Sequence, residues 1–306
     1  MRIFGLWILS ITLVLSACSS KKEKVENTEQ TLYEIAQKQL KTSSWDAAAE
    51  TLQLLEENFP FGAFAEQAQL ELIYAYFRTA EYELAIAASD RFIRLHPQHR
   101  NVDYAYYMRG VASFYSETAI TTALIRDVAK RDSGSAKDSF NYFSQLLSRY
   151  PDSTYALDAR QRMVYLRNLL ARQEIHVANY YFRRGAFVAA ANRGRYVVEN
   201  MQGTPAVPDA LAVMAQAYHL LDMQDLANDA VRVLALNFPD YPSLNAKGEF
   251  EYRYKLKPTR NWVSYLTFGL LDKNEFVAFD TRYLYNPEYK VQPEAQANKP
   301  PADDED

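Results

Sequence analysis

From Thr31 to Pro60 apolar positions recur at helical spacing, with one interruption. The pattern predicts a helix from Leu32 to Leu40, a turn from Lys41 to Ser44, and a second helix from Trp45 to Glu57. Pro60 ends that helix, because proline lacks an N–H and biases the residue before it away from helix. The fixed points are Ala36, Trp45, Ala48, Leu52, Leu55 and Pro60, and most of them recur. Ala36 has counterparts at Ile73, Gly110, Ala178 and Ala215; Ala48 at Ala85, Ala190 and Ala227. Leu55 corresponds to Phe92, Leu146, Val197 and Leu234, and Pro60 to Pro97, Pro151 and Pro239. Self-similarity at a period of roughly 20–50 residues identifies stacked repeats.

Two antiparallel helices approach closely only where both carry small side chains, since a larger group would wedge them apart. Ala36 and Ala48 meet that need, while Leu52 and Leu55 face the next hairpin. The anchor set resembles the tetratricopeptide repeat (TPR) and implies an all-α fold, a right-handed superhelical solenoid of five helical hairpins. The copies span 31–60, 61–97, 98–151, 152–204 and 205–241. The third is stretched by an insertion, roughly Ser116 to Gly134, that is either functional or a solvated loop. Ser153 to Arg184 holds no Gly or Pro and reads as one stretched helix or two with little break. Ser153 is placed to cap it and Gly185 to stop it.

Both ends depart from the pattern. Residues 1–17 read as a lipoprotein signal peptide: Arg2, then a mostly apolar run from Ile3 to Leu15. At about 13 residues that run is too short to span a bilayer. It ends in Leu15-Ser16-Ala17-Cys18, which resembles a bacterial lipobox. Cys18 is the only cysteine, so no disulfide forms within the chain and a lone thiol in an exported protein calls for a role. The resemblance implies cleavage before Cys18 and a covalent lipid on it, S-diacylglycerol and N-palmitoyl. Ser19 rather than Asp follows, which implies sorting to the outer membrane. Residues 18–30 are polar and read as a flexible tether. Residues 242–306 form an aromatic-rich, then acidic extension, with Val291 to Asp306 expected to be disordered. Its aromatic stretch either folds back on the fifth repeat or awaits a partner.

Composition and chemistry narrow the function. The net charge is −4, so nucleic acid is not an expected partner. Gly is scarce at 9, as suits a helical chain, and Tyr abundant at 23, as suits a surface that binds peptides. No nucleophile elbow, zinc-binding H-E-x-x-H or phosphate-binding glycine loop occurs, and no catalytic residue or metal ligand is assigned. His96 and His99 flank Pro97 at a turn, poor geometry for a metal pair. An adaptor is expected, not an enzyme, since helical-repeat arrays bind peptides along the groove of their first helices.

Longer strings add specificity. They are Phe59-Pro60-Phe61-Gly62, Leu72-Ile73-Tyr74-Ala75-Tyr76, Asp90-Arg91-Phe92-Ile93-Arg94-Leu95, Tyr107-Met108-Arg109-Gly110, Arg184-Gly185-Ala186 and Asn192-Arg193. In this order they resemble the BamD family, or competence lipoproteins, over about residues 15–240. The resemblance implies a lipid-anchored adaptor of the outer-membrane β-barrel assembly (BAM) machine, facing the periplasm. Repeats one to three would receive unfolded outer-membrane proteins, and repeats four and five would dock the POTRA domain of BamA, beside other BAM lipoproteins. Tyr74, Tyr76, Arg94 and Tyr107 are the candidate peptide groove; Arg193, Asn192 and Arg184 the candidate docking residues. Two other classes share the lipobox and repeats: a lipoprotein of type IV pilus secretin assembly and a peptidoglycan-associated protein.

Overall fold

The computed structural model describes residues 28–121, 134–252 and 278–285. Side chains are described for the same residues except 117–121. The signal peptide, Cys18, most of the tether and of the insertion, and much of the extension lie outside the described residues. Ten α-helices are described, with no strand ladder among the described residues. They are α1 Glu29–Lys41, α2 Trp45–Asn58, α3 Ala65–Arg78, α4 Tyr82–Leu95, α5 Val102–Thr121, α6 Gly134–Arg149, α7 Ala156–Arg183, α8 Phe187–Asn200, α9 Val207–Leu220 and α10 Gln224–Asn237. Consecutive helices pair as five hairpins of the tetratricopeptide type. The chain divides into two compact units, residues 1–108 and 109–306.

In the first unit the hairpins close on their small residues. Ala36, Ala48, Ile73 and Ala85 have no exposed surface, and Leu52 and Leu55 are equally buried. The α1–α2 and α3–α4 turns are three residues each, and the middle one, Ser43 or Ala80, sits in the left-handed region at φ 58° or 62°. That twist lets the Ser44 N–H reach the Gln39 carbonyl and the Glu81 N–H reach the Tyr76 carbonyl, both at 2.9 Å. Each bond satisfies a carbonyl that the helix end would leave unpaired. α1 begins earlier than its apolar pattern suggests. The Thr28 hydroxyl caps it by accepting the Thr31 N–H at 3.2 Å. Glu29, at its first turn, accepts the Phe64 N–H at 2.7 Å and so ties α1 to the start of the second hairpin.

The second unit repeats the scheme with local changes. Gly110 on α5 fits because a Cβ there would lie 2.6 Å from the Phe143 ring of α6. Opposite it, fully buried Ser139 donates to the Gly110 carbonyl at 2.9 Å. α7 is one continuous helix. Ser153 does not cap it: its hydroxyl accepts the Tyr155 N–H at 3.2 Å, and Tyr155 is the residue before the helix. Gly185 and Asp222 supply the left-handed turn positions of the last two hairpins, at φ 70° and 58°. The described part of the extension folds back: Phe250 and Phe279 join the core of Ala178, Phe182, Leu211, Leu234 and Tyr241.

Candidate functional site

A cavity of about 550 Å³ opens in the first unit among α2, α3, α4 and the Pro60–Phe61 turn. Helical spacing assembles it. Gln53, Glu56 and Glu57 lie three and four apart on α2; Gln69, Leu72 and Tyr76 share one side of α3; Arg91 and Leu95 are four apart on α4. Its wall is mixed in character. Arg91 pairs with Glu56, and Gln53 donates through Nε2 to the Tyr76 hydroxyl. Burial raises the Tyr76 pKa above its ordinary value, against the opposing pull of the Gln53 bond, so the hydroxyl is neutral. Its rim is apolar: Phe61 is 99% exposed and Leu95 59%. Gln69 is 6% exposed, and its buried Oε1 has no hydrogen-bond partner in the structure. An unpaired buried acceptor costs about 1–3 kcal/mol.

The four sequence-predicted groove residues do not share this cavity. Tyr76 lines it. Tyr74, two positions earlier, faces elsewhere, since residues two apart on a helix do not share a side. Its ring meets the Trp45 ring edge-on at 5.5 Å, and its hydroxyl accepts from Arg78 Nη1 at 2.8 Å. The Arg78 guanidinium stacks 4.2 Å from the Trp45 ring, so these three side chains stitch the first hairpin to the second. Arg94 is exposed on α4 and Tyr107 half-buried on α5, and neither lines the cavity. Gln69 was missed in the sequence, where one glutamine on a helix gives no sign of its burial. His96 and His99 lie closer than their sequence suggests: both approach Glu66, at 3.2 and 3.6 Å, and both rings pack on Phe92. No cluster of three or more potential metal ligands occurs among the described residues.

In the second unit the docking candidates surround α8. Arg193 donates to Glu174 of α7 at 2.9 Å, so it helps to join the two helices of its hairpin. Asn192 is exposed and accepts from Arg195 at 2.8 Å. It shares a stripe with Val188 and Tyr196, four residues either side, which are 58% and 43% exposed. Arg184 stands at the α7–α8 turn, its Nε 3.2 Å from the Tyr180 hydroxyl. The sequence reading missed a buried polar group in this unit: Arg172 paired with Asp209, whose other oxygen accepts from the Tyr241 hydroxyl at 3.0 Å. Nothing local marks Asp209, because its partners Arg172 and Tyr241 lie far away in the chain.

Comparison with known proteins fits this architecture. The YfiO family, described as outer membrane lipoprotein, matches residues 25–234. The chain is 40% identical over 244 residues to the outer membrane protein assembly factor BamD of Neisseria meningitidis serogroup B, covering 77% of this chain and 91% of that protein. To the protein of the same name in Vibrio cholerae it is 37% identical over 235 residues, covering 76% and 96%. To that of Xylella fastidiosa (strain Temecula1) it is 34% identical over 244 residues, covering 78% and 83%. The chain therefore belongs to the YfiO family of outer membrane lipoproteins.

Proposed function

We propose that this chain is a lipid-anchored, non-enzymatic adaptor in outer-membrane protein assembly, facing the periplasm. The first-unit cavity receives an extended, aromatic-bearing segment of an unfolded outer-membrane β-barrel protein. The exposed side of α8, with Arg184, Asn192 and Arg193, docks the POTRA domain of BamA within the BAM complex. Cys18 carries the lipid. The observation that carries the reading is the cavity itself, lined by Gln69 and Tyr76 and rimmed by the exposed apolar side chains of Phe61 and Leu95. An extended peptide brings both an apolar side chain for the rim and backbone N–H groups for the carboxylates of the wall, Glu56 and Glu57. The family match over residues 25–234 favours this reading over pilus-secretin assembly or peptidoglycan association.

The test is a pair of titrations on the full chain in detergent. One uses a labelled peptide from the C-terminal strand of an outer-membrane porin, the other a BamA POTRA fragment. Gln69→Met should weaken the peptide about tenfold, the equivalent of about 1.4 kcal/mol. It should also leave the unliganded protein equally or more stable, because it removes an unpaired acceptor. POTRA binding should not change. Arg193→Gln should weaken the POTRA fragment alone, with Glu174→Gln as the control for their shared ion pair. Wild-type peptide affinity in Gln69→Met would remove the cavity from the reading. Equal losses of POTRA binding in Arg193→Gln and Glu174→Gln would assign Arg193 to hairpin packing.

A further inference from the structure

The α7–α9 side of the second unit bears polar groups that core packing does not require. Arg172, Asn179 and Phe182 stand on α7, and Asp209 on α9; all four are buried. Residues 278–285 lie against them, ending in a 3-10 turn at Arg282–Leu284, with Phe279, Thr281 and Arg282 buried. Asn179 donates through Nδ2 to the Phe279 carbonyl and accepts the Phe279 N–H through Oδ1, both at 3.0 Å. Asp209 accepts the Thr281 N–H at 3.1 Å. Arg172 donates to Tyr285 at 2.9 Å and reaches Asp280 at 3.5 Å. The Phe279 ring packs 5.7 Å from Phe182.

These are the means by which proteins hold peptides: side-chain amides and carboxylates that satisfy backbone groups, an aromatic pocket, and a cation facing an anion. α7 and α9 are the first helices of their hairpins, the helices that form the groove of such arrays. The family match ends at residue 234, so the occupying segment comes from sequence beyond the matched region. We infer that the α7–α9 side is a peptide-recognition site whose built-in occupant is residues 278–285, and that a second polypeptide carrying an aromatic residue followed by aspartate competes for it. An occupant on the same chain competes intramolecularly, so an added peptide binds weakly until the occupant's contacts are broken.

The experiment uses the full chain and a labelled peptide with the sequence of residues 278–285. Wild type should bind it weakly. Two variants loosen the occupant: Phe279→Ala with Asp280→Ala, and Thr281→Pro, which removes the N–H given to Asp209 and fixes the backbone there. Each should bind the added peptide at least tenfold more tightly than wild type. Adding Asn179→Ala should abolish the gain, and a peptide with the Phe and Asp positions scrambled should not bind. The inference fails if the variants keep their helical circular dichroism and bind no peptide, or if the gain survives Asn179→Ala. Loss of helical signal in both variants also overturns it, because the segment is then a fixed part of the core.

Discussion

At the scale of single residues, the structure depends on how closely backbones approach and turn. Ala80 holds the left-handed turn position of the second hairpin at φ 62°, where glycine has no Cβ penalty. An L-residue there costs roughly 1–2 kcal/mol. Part of that gain is offset by the greater freedom of glycine in the unfolded chain. Ala80→Gly should therefore raise stability by about 0.5–1 kcal/mol, read as a higher denaturation midpoint at unchanged slope. An unchanged midpoint would mean that the turn relaxes the strain elsewhere. Packing positions were legible because they recur in phase: Ala36, Ile73, Gly110, Ala178 and Ala215 all prove buried. Polar positions were not. Ser139 fills the place of an anchor alanine and bonds to Gly110, while Gln69 and Asn179 look like any surface amide until distant segments cover them.

At the scale of elements, the helices were legible from period and punctuation, and the C-terminal cover was not. Residues 278–285 have no helical or strand period; side-chain bonds to α7 and α9 hold them, which no local pattern announces. Their surroundings give the second unit a measurable response to alkali. Tyr241 has its pKa raised well above the ordinary value, first by burial and then by the negative charge of Asp209, which accepts its hydroxyl. In the unfolded chain a tyrosine ionises near pH 10, as in model peptides. Above that pH the unfolded state loses a proton that the folded state keeps, so stability falls as pH rises. Tyr241→Phe should lower stability at pH 7 through the lost bond, yet make the fall above about pH 10 shallower. Denaturant titrations at pH 7 and above about pH 10 check both. Equal alkaline slopes for the two proteins would show that other tyrosines set the response.

At the scale of the whole molecule, the proposed tasks fall in separate compact units: a peptide cavity in the first, and a docking side with its own covered groove in the second. No helix among the described residues is long and apolar enough to cross a bilayer. The attachment proposed here is through Cys18, the only cysteine, which follows Leu15-Ser16-Ala17. Each buried acyl CH₂ contributes about 0.8 kcal/mol, and two chains already anchor a protein stably. A lipidated protein should therefore stay with the membrane after alkaline carbonate extraction, whereas one held only by partners is released. Cys18→Ser should leave the chain either unprocessed or soluble, and the mature N-terminal peptide should lose the added mass of its acyl groups. Retention of Cys18→Ser through carbonate extraction, with normal processing, would place the anchor elsewhere. Release by carbonate alone of the wild-type protein would show that its partners, not a lipid, hold it at the membrane.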